Sequence, residues 1–197
     1  MPQQFDTQVI SALEKWPNVP ACYGWLSLSR RGRWLIQKQP ISHARAIDFL
    51  GRNYGCDECG QWFVQNGPQR AYCALDYTPW IYHLDGLEQI FTHTENQVLE
   101  MRGVVVDDAG DILVETEYGI GLLEDRDLAR FLQILEHQSN NRGTDNDIAT
   151  RLSGLDVKSN DSLEILWHGE AVMVQKMYAA DVPKAFGFVT APSAALN

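Results

Sequence analysis

Basic side chains are in short supply in this chain. Sixteen Lys and Arg stand against 26 Asp and Glu, a formal net charge of −10. A field of that sign repels phosphate backbones and anionic membrane surfaces alike. The densest basic run, Arg30-Arg31-Gly32-Arg33, has the form of a hairpin turn, so neither nucleic acid nor membrane is an expected partner. Long apolar runs are also lacking, and none approaches the roughly 20 residues that span a bilayer. The opening Met1-Pro2-Gln3-Gln4-Phe5-Asp6 has neither the basic nor the apolar region of a secretory signal. Cysteine is sparse, and with no sign of export the four thiols (Cys22, Cys56, Cys59, Cys73) are expected reduced, in a cytoplasm. No Walker loop, GxGxxG, HExxH or GxSxG is present, and no cofactor is expected.

What is there reads as a globular chain, 45% hydrophobic over 197 residues, enough to bury a core without staples. Residues 6–16 form an expected amphipathic helix, with Asp6 or Thr7 as cap and Val9, Ile10, Leu13 and Trp16 at helical spacing. Trp25–Ser29 and Arg33–Ile36 flank a turn whose left-handed residue is Gly32. That register sets Leu28 opposite Trp34 and Leu26 opposite Ile36. A helix from about Ser42, its expected cap, follows with Ile47 and Leu50 inward. The same order returns in Val104–Val106, Gly110, Ile112–Val114 and a helix carrying Leu128, Phe131, Leu132 and Leu135, with Asp125 and Asp127 placed in its first turn. It returns again in Leu163–Trp167, His168-Gly169, Ala171–Val174 and a short helix capped by Asp181. Gly32 to Phe49, Gly110 to Phe131 and Gly169 to Phe186 are separated by 17, 21 and 17 residues.

The expected fold is α+β, with repeated antiparallel β-hairpin plus helix units packed as mixed sheet and helix layers. Two such units fall in residues 1–138, a polar linker or long loop in 139–162, and a third unit in 163–197, packed on the rest. A further hairpin, 61–65 with 70–76, turns through Asn66-Gly67-Pro68-Gln69, and Trp80 to Leu84 forms another short strand.

Chemistry has few places to live. Cys56-Asp57-Glu58-Cys59 could chelate zinc with Cys73 and His83 completing a Cys3His set, but the last two lie ten residues apart where structural sites favour a second close pair. A redox role would need the first cysteine at a helix N-terminus, whereas here Gly60 leads into a strand. Two partly buried thiols in a turn is the favoured reading, and no metal is expected. Asp107-Asp108-Ala109-Gly110-Asp111 lacks the alternating oxygens and closing Glu of a calcium loop. A Cys73–His83–Asp76 arrangement has no local sequence behind it. The most distinctive text is the Asn66 to Arg70 turn followed by Thr78-Pro79-Trp80. A preformed loop, a five-donor guanidinium and an indole are what binding surfaces use, so Asn66, Arg70 and Trp80 are the candidate ligand site.

Gly32-x-Trp34, Pro40-Ile41, the helix, Gly60-Gln61-Trp62-Phe63, Asn66-Gly67-Pro68, Asp76 and Pro79-Trp80, across residues 22–135, resemble uncharacterised proteobacterial domains of unknown function. A related group has tandem hairpin–helix repeats in an α+β fold and a link to signalling. The resemblance implies that fold and carries over no catalytic residue. The leading expectation is a non-catalytic binding or regulatory module for a small molecule or protein. The alternatives are an enzyme or zinc protein using Cys56, Cys59, Cys73 and His83, and a structural homodimer subunit.

Overall fold

The computed structural model describes residues 5–86, 88–140, 148–157 and 163–196. The chain divides into two compact units: Met1–Pro79 with His93–Glu95 and Phe186–Asn197, and Trp80–Thr92 with Asn96–Ala185. Among the described residues no helix is long and apolar enough to cross a membrane.

In the first unit, α1 (Thr7–Lys15) forms as expected and buries Val9, but Ile10 and Trp16 of its expected stripe are exposed, and Asp6 gives its amides no side-chain cap. The Asp6 carboxylate instead accepts from Arg52 Nε at 3.1 Å and Asn53 Nδ2 at 3.1 Å, while its own N–H donates to Asn53 Oδ1 at 2.9 Å. β1 (Cys22–Leu28), β2 (Trp34–Ile36) and β3 (Gln39–Pro40) form an antiparallel meander, with Leu26 facing Ile36 and Leu28 facing Trp34 as expected. α2 (Ala44–Arg52) follows, and its cap is His43, whose Nδ1 accepts from the Ala46 N–H at 3.4 Å, one residue past the expected Ser42. β4 (Tyr54–Cys56), β5 (Trp62–Asn66) and β6 (Gln69–Leu75) make a second meander, and β6 returns parallel beside β1. The sheet order is β3-β2-β1-β6-β5-β4. Its core gathers Leu28, Trp34, Tyr54, Val64 and Cys73. Trp34 meets Tyr54 edge-on at 5.0 Å and His93 at 5.3 Å. The C-terminal segment closes the unit: Val189 N–H donates to Gly60 O at 2.9 Å, Leu75 N–H to Thr190 O at 2.8 Å, and Ser193 N–H to Gln61 Oε1 at 2.8 Å.

The second unit is built on β7 (Trp80–Leu84), β8 (Ile90–Thr92), β9 (Met101–Asp107), β10 (Ile112–Thr116) and β11 (Gly119–Leu123). Then come α3 (Leu128–Asn140), α4 (Ile148–Ser153), β12 (Leu163–Trp167), β13 (Glu170–Met177) and α5 (Val182–Ala185). The sheet order is β12-β13-β9-β10-β11-β7-β8. α3 lies on the β12 end, where the Phe131 and Trp167 rings pack tilted at 5.4 Å. Asp125 and Asp127 precede the helix instead of occupying its first turn; the Asp127 carboxylate accepts from the Leu84 N–H at 2.8 Å. Within the expected 139–162 stretch, residues 141–147 and 158–162 lie outside the described residues, and α4 buries Ile148 and Leu152.

The α+β class holds, and antiparallel hairpins do turn at Gly32 (φ 68°) and Gly110 (φ 88°). Three parallel pairs, β1–β6, β7–β11 and β9–β13, lie outside the antiparallel expectation and make both sheets mixed. Their partners are far apart in sequence and joined by no local turn signal. β11 lies outside the sequence expectation as well, and the β12–β13 hairpin joins the second sheet through β9.

One turn chemistry recurs. Ser29, Asp57 and Asp107 each open a five-residue hairpin turn whose fourth residue is a left-handed glycine: Gly32, Gly60 and Gly110. In each, the first side chain accepts from the fifth residue's N–H, at 3.1 Å for Arg33, 2.9 Å for Gln61 and 2.9 Å for Asp111. That bond satisfies a donor the turn leaves unpaired, which is why Ser or Asp opens it. It also accounts for Asp107-Asp108-Ala109-Gly110-Asp111 and Cys56-Asp57-Glu58-Cys59 as turn sequences.

Candidate functional site

Helix α2 sets up a concavity in the first unit. Ala46, Phe49 and Leu50 share one face of it by their spacing. A helix normally buries such a face, yet none of the nine α2 residues is fully buried. The space beneath them is a groove of about 350 Å³. Leu26, Ile36, Val64 and Ala71 form its floor from the sheet, and Trp25, Ile41, Cys22 and Asn66 its rim. Trp25 is 54% exposed and Ile36 48%. Asn66 is the sole carboxamide in this lining, offering one acceptor and two donors at the edge of an apolar surface.

The three residues expected to bind together are not gathered here. Gly67 (φ 56°) and Pro68 form a two-residue turn that sets Asn66 opposite Gln69 and Gln65 opposite Arg70. Alternation along the strands then puts Asn66 on the groove face and Arg70 on the other. There the Arg70 guanidinium lies 4.6 Å over the Phe63 ring, a cation–π contact that holds the charge at the surface. Trp80 belongs to the second unit, where it is 8% exposed and packs on Tyr118 at 5.6 Å. A Cβ on Gly121 would strike the Tyr82 ring and the Trp80 Cβ, so glycine there lets these neighbours pack closely. The two-residue turn in the sequence is the signal that separates Asn66 from Arg70. The groove residues of β1 and α2 carried only an ordinary apolar pattern.

The cysteines differ in exposure. Cys59 is exposed, Cys56 half-buried and Cys73 buried, while His83 lies in the second unit. Among the described residues no group of three or more His, Cys, Asp and Glu could hold a metal ion. Burial pushes the Cys56 thiol up to about 11, with the Asp57 carboxylate adding to it, and raises the Cys73 thiol further. Neither is a ready thiolate near neutral pH. On the Arg70 face, Tyr23 and Tyr72 stack at 4.5 Å, and Tyr72 OH donates to Asp57 Oδ2 at 2.9 Å. Burial, then the neighbouring Tyr72, raises the Tyr23 hydroxyl above its usual range.

A family model described as "Protein of unknown function (DUF2946)", labelled DUF2944, matches residues 5–193. The chain belongs to this family. The match takes in both units and every groove residue. A solved DUF1285 family protein from Silicibacter pomeroyi DSS-3 is 13% identical, with a TM-score of 0.50 over 91% of this chain and 99% of that one. A DUF1285 family protein from Shewanella baltica OS155 is 11% identical, with a TM-score of 0.44 over 55% of this chain and 91% of that one. The first likeness is one of fold alone. No curated protein matches the chain.

Proposed function

We propose that this DUF2944 protein is a non-catalytic binding or regulatory module, and that the groove beside α2 takes a small, largely apolar molecule with a polar group near Asn66. The observation that carries this is an apolar helix face only half-buried over a concavity of about 350 Å³, within the usual range for small-molecule sites. Of the residues expected to bind, Asn66 lines this groove and Arg70 and Trp80 do not. The test is fluorescence titration with the apolar dye N-phenyl-1-naphthylamine. The dye should bind saturably to the native protein and lose that binding in Ala71→Phe, whose ring fills the floor, while the thermal midpoint stays close. Equal binding by both proteins would move the site elsewhere.

We also infer that the two units repeat one plan. Support comes from connectivity: a three-stranded meander, a helix, and a returning antiparallel element (the meander β4-β5-β6 in one unit, the hairpin β12-β13 in the other) whose last strand lies parallel beside the first, as in β1–β6 and β9–β13. Superposition of the two units in an experimental structure, strand for strand, is the test; unmatched strand positions would reject duplication.

A further inference from the structure

We propose that the ligand of this groove is an amphiphilic anion, such as a medium-chain carboxylate, with its acyl chain on the apolar floor and its head group held at the mouth by Lys38 and Arg45. The inference rests on the groove reading above and adds the charge of the ligand to it.

Charge is distributed unevenly along the chain. The first unit holds eight Lys and Arg against seven Asp and Glu, and the second eight against nineteen, so the whole net charge of −10 comes from the second unit with one positive charge to spare in the first. Around the groove the imbalance sharpens. Between residues 22 and 56 stand Arg30, Arg31, Arg33, Lys38, Arg45 and Arg52, with Asp48 as the lone carboxylate. Arg52 is committed to Asp6 at 3.1 Å, and Arg30 lies 4.9 Å over the Tyr77 ring.

Lys38 and Arg45 are placed differently. Lys38 sits between Ile36 and Ile41, both in the lining, and Arg45 immediately precedes Ala46. The turn that carries Lys38 is fastened to the rim, since Gln37 N–H donates to Trp25 O at 2.8 Å. Both residues are exposed, and neither side chain has an ion pair or hydrogen bond among the described residues. Two exposed, unpaired cations on segments that also supply lining residues, though not in the lining themselves, complement a ligand with an apolar body and an anionic end. His43 is occupied as the α2 cap, which leaves Asp48 as the one opposing charge on that helix. The turn itself is conformationally unusual. Gln37 (φ 48°) and Lys38 (φ 66°) both occupy the left-handed region, where two-residue hairpin turns ordinarily place Asn-Gly. Lys38 thus stands where glycine would relieve the backbone.

The experiment is isothermal titration of the full chain at low ionic strength with two probes, decanoate and decan-1-ol. Decanoate should bind about tenfold or more tighter, a difference typical of one good charge contact, and added salt should narrow the gap. In Lys38→Gln with Arg45→Gln, decanoate should fall to the level of decanol while decanol binding is unchanged, which also shows that the variant is folded. Equal affinity for the two probes, or a preference that survives in the double variant, would overturn the head-group inference and leave the groove reading standing. If neither probe binds saturably, both fall.

Discussion

Gly60 lies so close under the carbonyl oxygen of Gly187 that a methyl group at its Cα would collide with that backbone. The contact is made where the C-terminal segment crosses the turn between β4 and β5, one residue from the Gln61–Val189 bridge. Gly60 also has a φ of 79°, so alanine there meets both a steric and a conformational penalty. Gly60→Ala should destabilise the protein by at least about 2 kcal/mol. Gly110→Ala is the control: its φ of 88° is equally unfavourable but nothing lies within 4 Å, and the loss should be about 1 kcal/mol. Urea denaturation of the pair checks this, and similar losses would mean that the C-terminal segment does not press on the turn.

The Gln37-Lys38 turn separates stability from binding. Replacing it with Asn-Gly suits two consecutive left-handed residues and should stabilise the protein by about 1 kcal/mol. The same double change removes the Lys38 ammonium, so decanoate affinity should drop as the melting temperature rises. A variant that melts higher and binds decanoate as before would show that the turn is strained for some other reason.

Thiol reactivity follows burial. Cys59 is exposed and Cys73 buried, and the Cys56 thiol is raised to about 11. With Ellman's reagent at pH 8, Cys59 should react first, Cys56 slowly and faster as pH climbs toward 11, and Cys73 only on unfolding. Cysteine-to-serine variants assign the phases. A fast Cys73 phase in the native protein would contradict the packing of β6.

Acid should loosen the start of the chain. Hydrogen bonds from Arg52 and then Asn53 hold the Asp6 carboxyl below its usual range. Because the folded value is depressed, the stabilisation is present above the carboxylate's unfolded value near 4 and is lost as pH falls through the folded one. Asp6 is partly solvated, so the effect is small. Melting temperatures of native protein and Asp6→Asn should differ at pH 6 and converge near pH 2. A constant gap across that range would rule out ionisation as its source.

Local features were legible before the fold was known. Gly32 in a Ser-x-x-Gly turn set Leu28 against Trp34 and Leu26 against Ile36, and the structure has that register, because a short turn and its two strands are decided by neighbouring residues. The return of β6 beside β1 was not legible, since Leu26 and Cys73 pair across 47 positions with no turn between them. Of the proposed groove, only Asn66 was singled out in the sequence. Asn66 sits on a groove, but Arg70 faces away because a two-residue turn fixes the alternation, and Trp80 is packed in the core of the second unit. The spacing of Ala46, Phe49 and Leu50 revealed an apolar face; that no α2 residue would be fully buried depends on how far the helix stands from its sheet, which no local pattern encodes.

The most direct test of ligand binding in the groove is amide mapping by nuclear magnetic resonance on the full chain, with decanoate added to saturation. The account predicts saturable shifts concentrated at Trp25, Ile36, Phe49, Val64, Asn66 and Ala71, including the Trp25 indole N–H, with the amides of β10, β12 and β13 unmoved. Saturable shifts confined to the second unit, or none at all, would contradict it.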